Sequence, residues 1–379
     1  MDITQPLPLL GGLSPQQFMK RHWQKKPLLV RQAIPQFQAP LSRADLFALA
    51  EREEVESRLV RQTARGWQLG NGPFARRALP ALSARAWTLL VQGVDGHDPA
   101  VHQLLQQFRF VPEARLDDVM ISYASDGGGV GPHFDSYDVF LLQAHGQRRW
   151  RIGRQNDFSL QDNVPLKVLA NFVPEEEFVL EPGDMLYLPP RYAHDGVAQG
   201  ECMTYSIGFR APQRAELARE LLLRLADSAN DAVEDGAAPV LYRDPRQPAV
   251  DAPGAVPAEL LDFARQAVEQ ALKDPLALAR SLGEYLTEPK ANVWFEAGDV
   301  PDRLQQVTLA RSTRMLYDDK HVFINGEAFR AAGRDAALMR RLADQRTLGP
   351  ADLARASAGA LELLLSWCDD GWLVAGDAP

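Results

Sequence analysis

Gly127-Gly-Gly-Val-Gly-Pro-His133-Phe-Asp135, answered later in the chain by Glu181-Pro-Gly-Asp-Met-Leu-Tyr-Leu-Pro-Pro-Arg-Tyr-Ala-His194, decides the reading of this sequence. Side chains on a strand alternate between faces, so His-x-Asp on a strand places an imidazole and a carboxylate side by side. A second histidine brought in from a distant strand completes a two-histidine, one-carboxylate set. Three such ligands occupy one face of an octahedral shell and leave the other face open. That suits Fe(II) working with an organic co-substrate and dioxygen.

The surroundings support the pairing. Asp118-Val-Met-Ile-Ser-Tyr-Ala reads as a strand ending in the glycine loop, and Tyr137-Asp-Val-Phe-Leu-Leu-Gln as its continuation beyond Asp135. Pro182-Gly-Asp184 reads as a turn before a short buried strand, Met185 to Leu188, with His194 in a loop past its end. Parity then sorts the side chains. His133, Asp135, Tyr137, Val139, Leu141 and Gln143 share one face. In Gln147-Arg-Arg-Trp-Arg-Ile, the apolar Trp150 and Ile152 should point inward and carry Arg148 with them. A buried arginine needs an anionic partner. Arg148 is therefore the candidate to hold the carboxylate of an organic acid through a bidentate fork, the competing reading being an internal Asp or Glu. In Cys202-Met-Thr-Tyr-Ser-Ile-Gly-Phe, Thr204 and Ser206 fall on the polar face, which lines the same pocket or faces solvent.

The 379 residues allow two or three domains. Hydrophobic residues make up 46% and charged residues 24%, and no apolar run is long enough for a membrane span, so a globular protein acting away from the membrane is expected. The first residues lack the basic and apolar regions of a signal peptide. Cys202 and Cys368 are the only cysteines. A reduced, cytoplasmic protein without a disulfide framework follows as the expectation. The net charge of −9 argues against non-specific nucleic-acid binding as the main task, and it is compatible with a basic protein substrate.

Along the chain, Ser14 and Ser42 each open an N-capped helix, Lys26 to Arg31 reads as a strand, and Trp87 to Gln92 as a buried strand. Residues 115–210 are strand-rich, with turns expected at Gly127–Gly131, at Ala144-His-Gly-Gln and at Pro182-Gly. Many short strands around one site suggest a double-sheet jelly roll. Leu217, Leu221, Leu222 and Leu225 mark an amphipathic helix, and Leu260 to Leu272 another, on either side of an irregular stretch from Asp235 to Pro257. Met315-Leu-Tyr and His321-Val-Phe-Ile lead into an Asn325-Gly326 turn, followed by helices at about Asp335–Ala343 and Pro350–Asp369 and a last strand from Gly371.

The longer strings resemble one family. His22-Trp-Gln-Lys-Lys-Pro, Gly129-Val-Gly-Pro-His-x-Asp-x-Tyr-Asp-Val-Phe, Arg148-Arg-Trp-Arg, Pro182-Gly-Asp-x-Leu-Tyr-x-Pro-Pro and Tyr205-Ser-x-Gly-Phe-Arg-Ala-Pro are similar to the bacterial JmjC-type ribosomal oxygenases of the cupin superfamily. The likeness covers nearly the whole chain. It implies an α+β protein: a double-stranded β-helix (the JmjC/cupin jelly roll) over residues 1–210, a helical dimerisation region over 211–290 and a winged-helix-like domain over 291–379. It implies an Fe(II)- and 2-oxoglutarate-dependent dioxygenase that hydroxylates an arginine of large-subunit ribosomal protein sixteen, acting as a homodimer. The alternatives are histidine hydroxylation of another ribosomal protein, lysine demethylation and a catalytically vestigial ribosome-binding module; a zinc cupin isomerase or hydrolase fits the ligand set less well.

The resemblance implies iron ligation by His133, Asp135 and His194 and co-substrate binding by Arg148. A serine that assists this arginine in close relatives falls at Ala124 here, which makes Ser122 and Ser125 the neighbouring hydroxyls, with Thr204 as a further candidate. For an arginine substrate, Asp118 and Tyr137 are the chosen contacts, as a carboxylate and an acceptor near the ligand face.

Overall fold

A computed structural model of the chain describes residues 2–234, 240–273, 275–330 and 332–376. It divides into two compact units, Met1–Ala211 and Pro212–Pro379.

The first unit opens with α1 (Pro15–Arg21), β1 (Leu28–Val30) and α2 (Arg43–Leu49). Both helices start where the sequence says. Ser14 and Ser42 accept from the amides of Gln17 and Asp45, and those side chains return the bond in a capping box. Then follow β2 (Ser57–Thr63), β3 (Gly66–Asn71), β4 (Trp87–Val91), α3 (Pro99–Gln106), β5 (Leu116–Ala124), β6 (Val139–Gly153), β7 (Glu176–Leu180), β8 (Met185–Leu188) and β9 (Ala193–Phe209). The strands form one antiparallel sheet in the order β1-β8-β6-β9-β5-β4-β2-β3, with β7 added to β6. The two long strands β6 and β9 pair from end to end.

Alternation along β6 separates two cores. Phe140 and Leu142 join the larger core with Phe18, Tyr187 and Phe209 under α1 and α2. Val139, Leu141, Trp150 and Ile152 meet Leu186 and Leu188 on the opposite face. A strand apolar on both faces is thus buried on both, as its sequence implies.

Three readings of the first unit differ from the structure. Ala144-His-Gly-Gln is no turn; it is an irregularity within β6, whose pairing with β9 shifts between Gln143 and His145 and again between His145 and Gln147. Gly146 takes φ +60°, and a Cβ there would lie 2.0 Å from the carbonyl oxygen of Glu201, so the partner strand crosses where only glycine fits. His194 is no loop residue; it is the second residue of β9. The His133–Asp135 segment is not part of a continuous strand either. Gly131 and Pro132 interrupt the ladder, and β6 begins only at Val139.

The second unit carries α4 (Arg214–Glu234), α5 (Ala258–Ala271) and α6 (Pro275–Thr287), then β10 (Gln306–Leu309), β11 (Met315–Tyr317), β12 (His321–Ile324), β13 (Glu327–Arg330), α7 (Gly333–Gln345), β14 (Thr347–Leu348), α8 (Pro350–Leu353), α9 (Ala358–Asp369) and β15 (Leu373–Gly376). Residues 240–257 hold no helix or strand, while 235–239 of the expected irregular stretch lie outside the described residues. The Asn325-Gly326 turn joins β12 to β13 as read, with Asn325 at φ +48° and Gly326 at φ +91°. The expected helix Pro350–Asp369 is broken into α8 and α9, because Ser357 turns out of the helix to cap the second with its hydroxyl. Helix α6 and strand β10 carried no sequence assignment. Val307, Leu338, Leu342, Leu364 and Trp367 form the core of this winged-helix-like unit.

Candidate metal and organic-acid site

His133 and His194 face each other across a single backbone bridge. The His133 amide donates to the His194 carbonyl at 2.9 Å, and the His194 amide returns the bond at 2.8 Å. Residues that exchange both bonds project their side chains to the same side, and the two imidazole centroids lie 4.2 Å apart. Asp135 comes in from the loop, with Oδ2 3.7 Å from His194 Nε2. Each of the three offers an atom within 4.8 Å of the others. Such a cluster can hold one metal ion.

The segment between the bridge and β6 is pinned at two further points. The Asp135 carbonyl accepts the Arg191 amide at 2.7 Å, from a residue held at φ +63°. The buried Asp138 carboxylate accepts from the Tyr187 hydroxyl at 2.6 Å and from Gln24 Nε2 at 3.0 Å. The His22-Trp-Gln stretch, quoted above only as a likeness, thereby fastens the start of β6.

Hydrogen bonds fix the tautomers. His133 Nδ1 lies 2.9 Å from the Gly131 carbonyl and His194 Nδ1 lies 3.0 Å from the Tyr192 carbonyl. A carbonyl only accepts, so each Nδ1 carries the proton and each Nε2 keeps its lone pair for a metal. Burial, reinforced by neighbouring His133, lowers the pKa of His194 to about 4. At neutral pH it is the uncharged imidazole that coordination requires.

These ligands open onto a cavity of about 380 Å³. Arg148 and Trp150 line it, as strand parity predicted. Arg148 is only 5% exposed, and its Nε and Nη2 have no hydrogen-bond partner among the described residues. The internal Asp or Glu that the competing reading required is not bonded to it. A buried guanidinium with unmatched donors fits an incoming carboxylate, and the donor set of two imidazoles and one carboxylate fits Fe(II).

The other sequence candidates separate. Ser122, Asp118 and Tyr137 line the cavity. Thr204 is buried beside it, with its hydroxyl donating to Gln143 Oε1 at 2.9 Å, and is absent from the lining. Ala124 packs with Ala198 and Cys202. The Ser125 hydroxyl is engaged with the backbone of Trp87, which leaves Ser122 of these two serines in the wall, where Ser206 also lies. Asp118 accepts from Gln92 Nε2 at 2.9 and 3.0 Å. Partial desolvation and then the Asp135 carboxylate push the Tyr137 hydroxyl pKa up, so it stays protonated. Sequence reasoning missed Arg58, Gln92 and Lys167 in the lining. None belongs to a recognisable motif, and only the sheet order brings β2 and β4 beside the ligands.

Comparison with known proteins finds relatives that share the family and the fold. A family model for the JmjC domain matches residues 103–217, and a model for the ROXA-like winged helix matches residues 270–374. The ribosomal protein uL16 3-hydroxylase of Escherichia coli K12 is 35% identical over 333 residues, covering 84% of this chain and 86% of that protein. An X-ray structure of E. coli YcfD superposes with a TM-score of 0.82 at 31% identity, covering 95% of this chain and 97% of that one. A structure of YcfD in complex with cobalt and 2-oxoglutarate gives a TM-score of 0.79 at 30% identity, covering 95% and 98% of the two chains.

Proposed function

The chain belongs to the JmjC-domain ribosomal oxygenases, and from that premise we propose that it is an Fe(II)- and 2-oxoglutarate-dependent hydroxylase of an arginine side chain in ribosomal protein uL16. The observation that carries the reading is the unmatched, buried Arg148 in the same cavity as the His133, Asp135 and His194 cluster.

When bound, iron with 2-oxoglutarate and dioxygen supplies the oxidising power: one oxygen atom enters a target C–H bond and the other enters succinate, with loss of carbon dioxide. The chain's own residues hold and orient. His133, Asp135 and His194 hold the metal through Nε2, carboxylate and Nε2. Arg148 grips the distal carboxylate of 2-oxoglutarate, with the Ser122 hydroxyl in the same wall. Asp118 and Tyr137 take the guanidinium of the substrate, and the apolar Val139, Leu141 and Phe134 keep water from the reacting carbon. Asp117 and Asp118 in the lining favour a cationic arginine over a neutral histidine.

The same proposal includes a homodimer in the cytoplasm, with residues 211–290 as the pairing region. Leu222, Leu223, Leu261 and Val268 on α4 and α5 are exposed apolar residues that a second copy would cover. No helix among the described residues is long and apolar enough to cross a membrane.

Mass spectrometry of a peptide panel from basic ribosomal proteins, incubated with enzyme, Fe(II), 2-oxoglutarate and oxygen, tests the substrate. One oxygen gained on an arginine of the uL16 peptide, and absent with His133→Ala, is expected. A gain on a histidine instead, or on no peptide, would overturn the assignment.

A further inference from the structure

The pairing of β6 with β9 sets three rungs in the cavity wall: Ile152 opposite His194, Trp150 opposite Gly196 and Arg148 opposite Ala198. Successive rungs on one face are roughly 6.6–6.8 Å apart along a strand. The metal-binding histidine and the anion-binding arginine therefore stand two rungs apart, and Trp150 fills the rung between them. Its ring centroid lies 5.8 Å from that of His194, and the Arg148 guanidinium carbon lies 5.6 Å from the Trp150 ring. Trp150 is 4% exposed and lines the cavity.

Gly196 makes room for this indole. A Cβ at Gly196 would lie 2.6 Å from Trp150 Cη2 and Cζ3 and 2.9 Å from Cε3. The ring is therefore seated against the β9 backbone, and any larger residue there would drive it off. Its position is set by strand register and by one missing methyl group, which makes it a stiff wall rather than an adaptable one.

We infer that Trp150, seated on Gly196, determines the chain length of the oxo-diacid this cavity accepts, admitting a five-carbon acid and excluding a six-carbon one. The inference rests on the 2-oxoglutarate reading above. Trp150 is a positioning residue. It bounds the space between His194 and Arg148, so a longer acid fits only by displacing the ring or by losing one of its two ends. A smaller residue at position 150 opens that space, whereas a methyl group at position 196 pushes the ring into it.

Isothermal titration of the Mn(II)-loaded protein with 2-oxoglutarate and with 2-oxoadipate reads this without turnover. The wild type is expected to bind 2-oxoglutarate at least about tenfold more tightly, the discrimination expected of one methylene. Trp150→Leu and the milder Trp150→Phe should shrink that ratio, by about fivefold or more for leucine. Gly196→Ala should weaken 2-oxoglutarate by about tenfold while leaving the Mn(II) affinity within about twofold. An unchanged ratio in both Trp150 variants overturns the inference, whatever becomes of Gly196→Ala. Wild-type protein that binds Mn(II) but neither diacid overturns the co-substrate reading itself and the inference with it.

Discussion

At the His-Asp-His end of the cavity, the two histidines already have partners for the groups that do not face the cluster. His133 and His194 each give Nδ1 to a carbonyl, their backbones bond to each other, and the Asp135 carbonyl is held by Arg191. At the other end, Arg148 keeps two buried donors unmatched. One end is built to coordinate as it stands. The other carries a buried guanidinium with two donors unmatched among the described residues, which the proposed co-substrate carboxylate would satisfy. The difference assigns separate costs: geometry is fixed in advance where three ligands must converge, and affinity is stored where a single ligand must be gripped.

The largest break should come from the pre-built end. His133→Ala or Asp135→Ala is expected to lower arginine hydroxylation on the order of a thousandfold or more, with a matching loss of Mn(II) binding by titration. Retained metal binding and turnover would remove the cluster from the account.

The unmatched end should behave oppositely in folding and in binding. Arg148→Met is expected to raise the KM for 2-oxoglutarate by roughly a hundredfold, the worth of about two charge-assisted hydrogen bonds. The same substitution should stabilise the protein free of co-substrate by roughly 1–3 kcal/mol, because a buried unpaired charge is replaced by an apolar side chain of similar size. Thermal unfolding of the N-terminal unit checks this. A fall in Tm would mean that Arg148 already has compensation.

A third break concerns the turn that leads toward His194. Asp184 accepts from the amides of Gln32 and Glu181 and from Arg31. Burial acts to raise its pKa, but these donors outweigh it and hold the carboxyl below its ordinary value. Its folded pKa is thus below the unfolded one. The stabilisation is complete above the unfolded value of about 3.9 and is lost as pH falls through the lowered folded value. Asp184→Asn should cost about 1.5–3 kcal/mol at neutral pH and flatten the acid limb of the stability curve. An unchanged limb would assign the acid sensitivity elsewhere.

The smallest effect on the cavity itself is expected from Asp118→Ala, which should lower arginine turnover by roughly tenfold, the loss of about one charge-assisted hydrogen bond, while 2-oxoglutarate continues to decay uncoupled. Wild-type peptide kinetics would exclude Asp118 from the substrate contacts.

The same contrast explains what the sequence revealed. The His133, Asp135 and His194 cluster was legible because His-x-Asp and the later histidine are local strings, and the inward position of Arg148 because the parity of Gln147 to Ile152 turns it in with Trp150. Backbone context was less legible. Gly146 among polar residues imitates a turn, yet β9 continues the ladder past it. His194 looked like a loop residue because its strand partner, β6, is distant in sequence. Gln92 and Arg58 were invisible for the same reason: they become neighbours of Asp118 only through the pairing of β4 with β5 and β2.

The most direct measurement follows labelled dioxygen through a single reaction of wild-type enzyme, Fe(II), 2-oxoglutarate and the uL16 peptide. One labelled oxygen atom in the peptide arginine is expected for each one in succinate, with both products falling to roughly a tenth of the wild-type rate in Arg148→Met at co-substrate about tenfold above the wild-type KM. Peptide oxidation without labelled succinate, or full activity in Arg148→Met, would contradict the proposed function.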